Sequence, residues 1–227
     1  MITTVVFDLD DTLYDEMDYC RSGFAAVAEH LAALPEYPSV QAVFDELWNQ
    51  FTAGNRTKTL NAALDRLGIP SDDQTIRRLI ELYRAHVPTI NLPDDAKKVL
   101  DRLAADYTLA LLTDGFLPAQ QLKVRALGIE HYFKCIIYTE QLGRQFWKPS
   151  PAGFEKLIQT LNVSPQNAAY VADNDQKDFI APNSLGIATI KVVRPRRIHT
   201  ESSTQPQAQP MHTILGIDPL PALLAHL

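Results

Sequence analysis

Two carboxylates separated by a single residue lie close to the N-terminus, directly after an apolar stretch. Val5, Val6 and Phe7 favour a β-strand, and Asp8 and Asp10 follow them. Side chains alternate along a strand, so both carboxylates start on one side of the chain. At a separation of about 4 Å and an effective dielectric of about 20 their repulsion is roughly 4 kcal/mol, which a cation or a shared proton would relieve. Hard oxygen ligands favour Mg²⁺, although the pattern D-x-D-D by itself fits a solvated turn equally well.

Further polar groups follow other apolar runs along the chain. Thr113, Lys148 and the pair Asp173 and Asp178 each come after a short run typical of a buried strand, Lys148 after a longer loop. Taken singly, these residues fit a strand-end hydroxyl, a surface lysine and helix-cap acids. Parallel sheets bind ligands at the carboxyl ends of their strands, so we expect the set to converge there. Acids, a hydroxyl and an ammonium around one divalent ion suit the positioning and neutralisation of a phosphoryl group.

The spacing of apolar residues predicts the elements that position these groups. From residue 93 onward helices and strands alternate, which is typical of a parallel sheet with crossover helices. Four successive amphipathic helices without a strand fill residues 15–92, the first ending before Pro35. We therefore predict an α/β fold, a Rossmann-like parallel sheet core made of residues 1–14 and 93–227 with an inserted all-helical domain. The stretch 194–212, rich in Pro, Gln, Ser and Thr, is predicted to be a mobile loop.

The four polar clusters also resemble the signatures of a known family in the right order. VVFDLDDTL at 5–13 is similar to the D-x-D-x-T/V signature of haloacid dehalogenase-like (HAD) hydrolases. Thr113-Asp114-Gly115, Lys148 and the stretch from Asp173 to Asp178 resemble the second, third and fourth signatures. The resemblance implies that the helices of 15–92 form a cap, that the cofactor is Mg²⁺, and that the substrate is a small-molecule phosphate ester.

The resemblance also implies a role for each acid. Asp8 would be the nucleophile that takes the phosphoryl group, and Asp10 the general acid and then the general base. Asp8, Asp173 and the backbone carbonyl of Asp10 would bind Mg²⁺, and Asp178 would support the metal directly or through a neighbouring ligand.

Phosphate binding is assigned by the resemblance to the remaining signature residues. Thr113 would donate a hydrogen bond to the phosphoryl oxygens with help from the backbone amides that follow it, and Lys148 would pair with both Asp8 and the phosphate. The implied phosphate-binding residues are Thr12, Thr113, Asp114, Gly115 and Lys148. Arg56 and Arg144, which lie in loops of an acidic protein, are further candidates for binding an anionic substrate.

Three positions depart from the pattern of the family. Asp114 stands where many relatives have Asn, which leaves the role of its side chain open, and Ala172 precedes Asp173 where Gly is common. The loop before Lys148 is longer than is typical, so Arg144 and Trp147 within it are candidates for shaping the pocket.

Composition restricts the classes of partner and the compartment. The formal net charge of −6 argues against a nucleic acid polymer as partner. No apolar run approaches the roughly 18 residues needed to span a bilayer, and the N-terminus has no signal-peptide pattern, so no membrane association is expected. The two cysteines, Cys20 and Cys135, form no C-x-x-C motif, and the histidines show no ligand spacing, which predicts a cytoplasmic protein without a zinc site.

The sequence therefore predicts a Mg²⁺-dependent phosphomonoesterase that acts through an aspartyl-phosphate on a sugar phosphate, nucleotide or similar metabolite. Asp10 argues against dehalogenation, because removing a halide needs no leaving-group acid and the family's dehalogenases lack this second aspartate. A phosphomutase of the same family would share every core residue. A non-catalytic binding or regulatory protein with this fold would be expected to have an incomplete array.

Overall fold

The computed structural model describes residues 1–33 and 37–227, so the predicted end of the first helix at Pro35 lies outside the described residues. Two compact units make up the chain, one of Met1–Met17 with Asn91–Leu227 and one of Asp18–Ile90. The first is an α/β unit and the second is helical. The prediction of an inserted cap at 15–92 concerns the same part of the chain, and the action of that part as a cap stays a prediction.

The α/β unit is built on one parallel sheet. In the described residues its strands are β1 (Thr4–Phe7), β2 (Thr108–Thr113), β3 (Cys135–Tyr138), β4 (Ala168–Ala172), β5 (Ala188–Val193) and β6 (His212–Leu215). They lie in the order β3-β2-β1-β4-β5-β6, and every neighbouring pair is parallel. The predicted fold class, α/β with a Rossmann-like parallel sheet, is confirmed.

Nine α-helices lie in the described residues. They are α1 (Glu16–Ala32), α2 (Val40–Thr52), α3 (Thr59–Arg66), α4 (Asp73–Ala85), α5 (Asp94–Leu103), α6 (Ala119–Leu127), α7 (Ala152–Leu161), α8 (Ile180–Leu185) and α9 (Leu220–Leu224). Gly128 and Gly186 follow α6 and α8 with φ of 67° and 77°, the left-handed conformation that ends a helix most easily without a Cβ. None of the described helices combines the length and the apolar character that crossing a bilayer requires.

The central strands are apolar throughout because they are covered on both faces. Every residue of β1 and of β4 is buried, as expected for inner strands of a parallel sheet. Tyr170 of β4 packs edge-on against Phe154 of α7 with ring centroids 4.8 Å apart, and both rings are buried. This packing fixes the carboxyl end of the sheet and holds the Tyr170 hydroxyl in place.

The segment 194–212 makes specific contacts with the rest of the α/β unit. The Ile198 N–H donates to Asp11 Oδ2 at 2.5 Å, and the Met211 N–H donates to Thr189 Oγ1 at 3.0 Å. The Asn183 side-chain amide donates to the carbonyls of Gln207 and Gln209 at 2.9 and 2.8 Å. The segment predicted to be mobile is thus attached at several points, and β6, which the sequence did not predict as a strand, begins at its last residue.

Candidate active site

Strand order explains why distant signature residues meet. β1 lies between β2 and β4, with Phe7 in register with Leu111 on one side and Val171 on the other. The carboxyl ends of these three strands therefore lie side by side. Asp8, Thr113 and Asp173 stand at or directly after those ends, as the sequence predicts for a phosphate site.

A cavity of about 300 Å³ opens at this edge of the α/β unit. Its wall includes five aspartates and two lysines, namely Asp8, Asp10, Asp11, Asp114, Asp173, Lys148 and Lys177. The volume lies at the small end of the range of ligand pockets, so it fits a small substrate.

Lys148 joins the predicted nucleophile to the metal-ligand candidates. Its Nζ lies 2.6 Å from Asp8 Oδ1 and 2.7 Å from Asp178 Oδ1, and it donates to the Tyr170 hydroxyl at 2.9 Å. Although burial alone would lower the pKa of Lys148, the carboxylates of Asp178 and Asp8 raise it well above its usual value, so the ammonium is retained. Burial raises the pKa of Asp8 to about 6 against the opposing effect of Lys148, which leaves Asp8 mostly ionised at neutral pH.

Three carboxylates form a candidate metal centre. Asp8, Asp173 and Asp178 are buried, and one oxygen of each lies within 4.8 Å of the others. Asp173 Oδ2 is buried and has no hydrogen-bond partner among the described residues. Burial, together with the charges of Asp178 and Asp8, raises the pKa of Asp173 to about 9. A cluster of three buried carboxylates, one of which has an oxygen without a donor, fits a hard divalent cation such as Mg²⁺.

Asp10 is held by three donors from other parts of the chain. The Tyr14 hydroxyl donates to Asp10 Oδ1, as does Lys123 Nζ at 2.7 Å, and Gln120 Nε2 donates to Asp10 Oδ2 at 2.8 Å. Burial acts to raise the pKa of Asp10, but Lys123 and the other donors lower it below its usual value. Sequence reasoning missed Lys123 and Gln120. Their signal was a pair of polar residues three apart on α6 among the buried positions of that helix.

Asp114 positions the backbone of Lys148. The carboxylate accepts the Lys148 N–H at 3.1 Å through Oδ2 and 3.3 Å through Oδ1, and Oδ1 also accepts the Thr139 hydroxyl at 2.7 Å. The structure thereby gives a role to a side chain whose task the sequence left open. Gly115, next in the chain, has φ of 139°, and a Cβ there would approach the Gln120 side chain to 2.7 Å.

The other predicted phosphate-binding residues are placed as follows. The Thr113 hydroxyl accepts from Gln120 Nε2 at 2.7 Å, whereas Thr12 Oγ1 is buried with no partner in the described residues. The Arg144 guanidinium lies over the Phe116 ring, 4.4 Å from its centroid. Arg56 belongs to the helical unit, where its guanidinium lies 5.5 Å from the centroid of the Phe51 ring. Roles for all these residues in binding stay predictions.

Comparison with known proteins gives the family. The sequence model of one protein family, the haloacid dehalogenase-like hydrolases, matches residues 2–186, which is most of the chain. The chain belongs to this family. The predicted membership is confirmed.

Relatives within the family carry phosphatase names. A glyceraldehyde 3-phosphate phosphatase of Methanopyrus kandleri is 27% identical over 204 residues, covering 86% of this chain and 85% of its own. A phosphoserine phosphatase of Thermus thermophilus is 26% identical over 223 residues, covering 84% of this chain and 88% of its own. The structure of a putative β-phosphoglucomutase from Thermotoga maritima superposes over the full length of both chains with a TM-score of 0.72 and 19% identity. This similarity shows the fold alone. The family and these names support the predicted class, a hydrolase that acts on phosphate esters.

Proposed function

We propose that the protein is a Mg²⁺-dependent phosphomonoesterase that hydrolyses a small phosphorylated metabolite through an aspartyl-phosphate on Asp8. The observation that carries the proposal is the shared ammonium of Lys148. It lies within 2.7 Å of both Asp8 and Asp178, while Asp173, the third carboxylate of the same cluster, has an oxygen without a donor among the described residues. The arrangement combines a nucleophile, a fixed positive charge and a place for a divalent cation.

In the first step a carboxylate oxygen of Asp8 attacks phosphorus, and the bond from phosphorus to the leaving oxygen breaks. Asp10 gives its proton to that oxygen, so the alcohol departs neutral. Lys148 neutralises part of the charge on the phosphoryl oxygens and keeps Asp8 ionised and oriented. In the second step water attacks the phosphorus of the aspartyl-phosphate, Asp10 takes the proton, and inorganic phosphate and the Asp8 carboxylate are released.

The environments of Asp8 and Asp10 fit these separate tasks. Asp8 is held by one ammonium and is ionised near neutral pH, as a nucleophile must be. Three donors favour the carboxylate form of Asp10, which is the form that receives a proton from water in the second step. The first step needs the protonated form, so binding of the substrate has to weaken at least one of those contacts.

Asp8, Asp173, Asp178 and the backbone carbonyl of Asp10 are the residues that would hold Mg²⁺. When bound, Mg²⁺ supplies positive charge to the phosphoryl oxygens as negative charge spreads over them. The substrate, a sugar phosphate, nucleotide or related ester, has to fit a cavity of about 300 Å³, and the phosphatase names of the relatives are in keeping with a metabolite of that size. The helical unit is proposed to act as the cap that selects the leaving group.

The decisive experiment measures phosphate release from p-nitrophenyl phosphate by the purified protein. We expect turnover with Mg²⁺ and none in EDTA, and a loss of at least ~10³-fold in kcat for Asp8→Asn, since it removes the nucleophile. Asp101→Asn is the matched control, an exposed aspartate of α5 whose loss should leave kcat unchanged. Absence of turnover with any phosphate ester would favour a binding protein. Hexose phosphates converted to an isomer without release of phosphate would identify a mutase.

A further inference from the structure

Lys177 is a second cation in the wall of the cavity, and the proposed mechanism gives it no task. Its side chain is 33% exposed, whereas that of Lys148 is 1% exposed. Its ammonium lies 3.6 Å from Asp114 Oδ2. Lys148 is enclosed between Asp8 and Asp178, so Lys177 is the more accessible of the two charges that face the cavity.

The contact between Lys177 and Asp114 is loose and can be exchanged. At 3.6 Å it exceeds the distance of a hydrogen bond. Asp114 does not depend on it, because its two oxygens already accept the Lys148 N–H and the Thr139 hydroxyl. A partly exposed ion pair of this kind holds its ammonium only weakly, so an anion entering the cavity can replace Asp114 as its partner.

The backbone at Lys177 is held by hydrogen bonds, whereas its side chain is partly exposed. The N–H groups of Lys177 and Asp178 both donate to the Asn174 carbonyl, at 3.2 and 2.9 Å. Asp178 Oδ2 in turn accepts the Asn174 N–H at 3.0 Å. The turn after β4 therefore presents the lysine from a constant position, as a specific anion subsite requires.

Charge in the cavity restricts where a second anionic group on the substrate could bind. Among the wall residues the carboxylates outnumber the lysines, and Lys148 is already shared by two of them. An additional carboxylate or phosphate on the leaving group would be repelled by Asp10 and Asp114 unless a cation met it. Lys177 is the accessible ammonium of the described wall that can do so.

We propose that Lys177 forms a subsite for a second anionic group of the substrate, a carboxylate or a second phosphate on the leaving group. The inference rests on the proposed phosphatase function and narrows its substrate class. Lys177 would determine specificity by binding the second anionic group, whereas Lys148 would contact the transferred phosphoryl group.

The test compares substrates that differ only in that second group. We would measure kcat and KM for 3-phosphoglycerate against glycerol 3-phosphate, and for fructose 1,6-bisphosphate against fructose 6-phosphate. The first pair tests a carboxylate and the second pair a phosphate. We expect the wild-type protein to prefer the more anionic member of at least one pair, and Lys177→Met to reduce that preference about 10-fold, mainly through KM. Lys134→Met, which removes an exposed lysine remote from the cavity wall, should leave the preference unchanged.

Two results would overturn the subsite. One is an equal loss of kcat/KM for both members of each pair in Lys177→Met, because the lysine would then act on the shared phosphoryl group. The other is a wild-type protein that shows no preference in either pair. Thermal unfolding of Lys177→Met checks that the variant is folded.

A failure of the proposed function is distinguishable from a failure of the subsite. In that case the wild-type protein releases no phosphate from p-nitrophenyl phosphate either. Calorimetric titration with 3-phosphoglycerate and with fructose 1,6-bisphosphate in the presence of Mg²⁺ still measures the subsite, because binding needs no turnover. Lys177→Met should then bind at least one of the two ligands about 10-fold more weakly than the wild type does. If the variant and the wild type bind each ligand with equal affinity, the inference is overturned.

Discussion

The cluster of Asp8, Asp173 and Asp178 makes a prediction about stability as well as activity. One oxygen of each carboxylate lies within 4.8 Å of the others, and at that distance with a dielectric of about 20 each ionised pair repels by about 3.5 kcal/mol. Lys148 contacts Asp8 and Asp178, whereas Asp173 Oδ2 has no donor among the described residues. Without a metal, Asp173→Asn should therefore stabilise the protein, since it removes the acid that is least compensated.

The magnitude follows from the pKa of Asp173. Burial and the charges of Asp178 and Asp8 raise it from 3.8 to about 9. A carboxyl group whose pKa is higher in the folded state destabilises that state progressively as the pH rises from about 4 to about 9. The difference from Asp173→Asn should be about 1.5 kcal/mol at pH 5 and about 4 kcal/mol at pH 7. For a chain of this size the latter corresponds to a rise in Tm of about 8–16 °C.

The assay is thermal unfolding in EDTA and in Mg²⁺, at both pH values. Trp48→Phe leaves Trp147 as the single tryptophan, so its fluorescence reports on the α/β unit. In EDTA we expect Asp173→Asn to unfold at the higher temperature. Saturating Mg²⁺, at about 100 times its Kd, should stabilise the parent by about 2.7 kcal/mol and the variant far less.

Asp175→Asn is the matched control, two residues further along the same turn. Asp175 Oδ2 pairs with Lys191 Nζ at 2.8 Å, and both side chains are largely buried. Its removal leaves a lysine without its carboxylate and should destabilise by about 3 kcal/mol, with the response to Mg²⁺ intact. The reasoning is refuted if Asp173→Asn is the less stable protein in EDTA at pH 7, or if Mg²⁺ stabilises it as much as the parent.

Two further variants test buried polar side chains of the α/β unit. Tyr170→Phe keeps the ring but removes the hydroxyl that accepts from Lys148 at 2.9 Å, and we expect kcat/KM for p-nitrophenyl phosphate to fall about 10-fold with a stability loss of about 1 kcal/mol. An equal fall in kcat/KM for Tyr138→Phe, a buried tyrosine of β3, would contradict this explanation. Arg194→Met should lower the free energy of unfolding by about 2 kcal/mol, because its buried guanidinium pairs with partly buried aspartates. The exposed Arg196 is its control: Arg196→Met should change the free energy of unfolding by less than about 0.5 kcal/mol, measured by urea unfolding. An equal loss of stability in the two variants would show that burial of the Arg194 guanidinium is not the cause.

The main features of the fold followed from local patterns in the chain. Short apolar runs ending in a polar group mark β1, β2 and β4, because inner strands of a parallel sheet are buried on both faces. The rule that ligands bind at the carboxyl ends of such strands then predicted that Asp8 and Asp173 would lie close together. No alternation or motif was needed for that step, only the order of the elements.

The contacts of Asp10 could not be predicted from local sequence patterns. In the structure Lys123 and Gln120 occupy buried positions of α6, which an amphipathic pattern assigns to apolar residues. Neither their burial nor the group that they contact was predicted from the sequence. Their partner is 113 residues away for Lys123 and 110 for Gln120. Only the packing of α6 against the loop after β1 identifies it.

The mobility predicted for residues 194–212 stays a prediction, but the contacts of this segment could not be predicted from its composition. Its polar and proline-rich sequence predicts mobility, because such segments bury too little apolar surface to order themselves. In the structure the segment buries the side chains of Ile198 and Ala208 and makes specific polar contacts. The buried Arg194 side chain pairs with Asp15 at 3.1 Å and Asp95 at 3.4 Å, and Asp11 accepts the Ile198 N–H. These acids lie far away in sequence, so no local pattern reveals them.

The departure at Asp114 shows how the signatures depend on one another. Its carboxylate accepts the Lys148 N–H with both oxygens and the Thr139 hydroxyl with one of them. An asparagine has a single acceptor oxygen and would have to turn its amide group toward one of these partners or toward Lys177. Aspartate satisfies Lys148 and Thr139 together and adds a negative charge 3.6 Å from the ammonium of Lys177. The side chain of the second signature therefore holds the backbone of the lysine of the third and lies 3.6 Å from Lys177, the residue before Asp178 of the fourth.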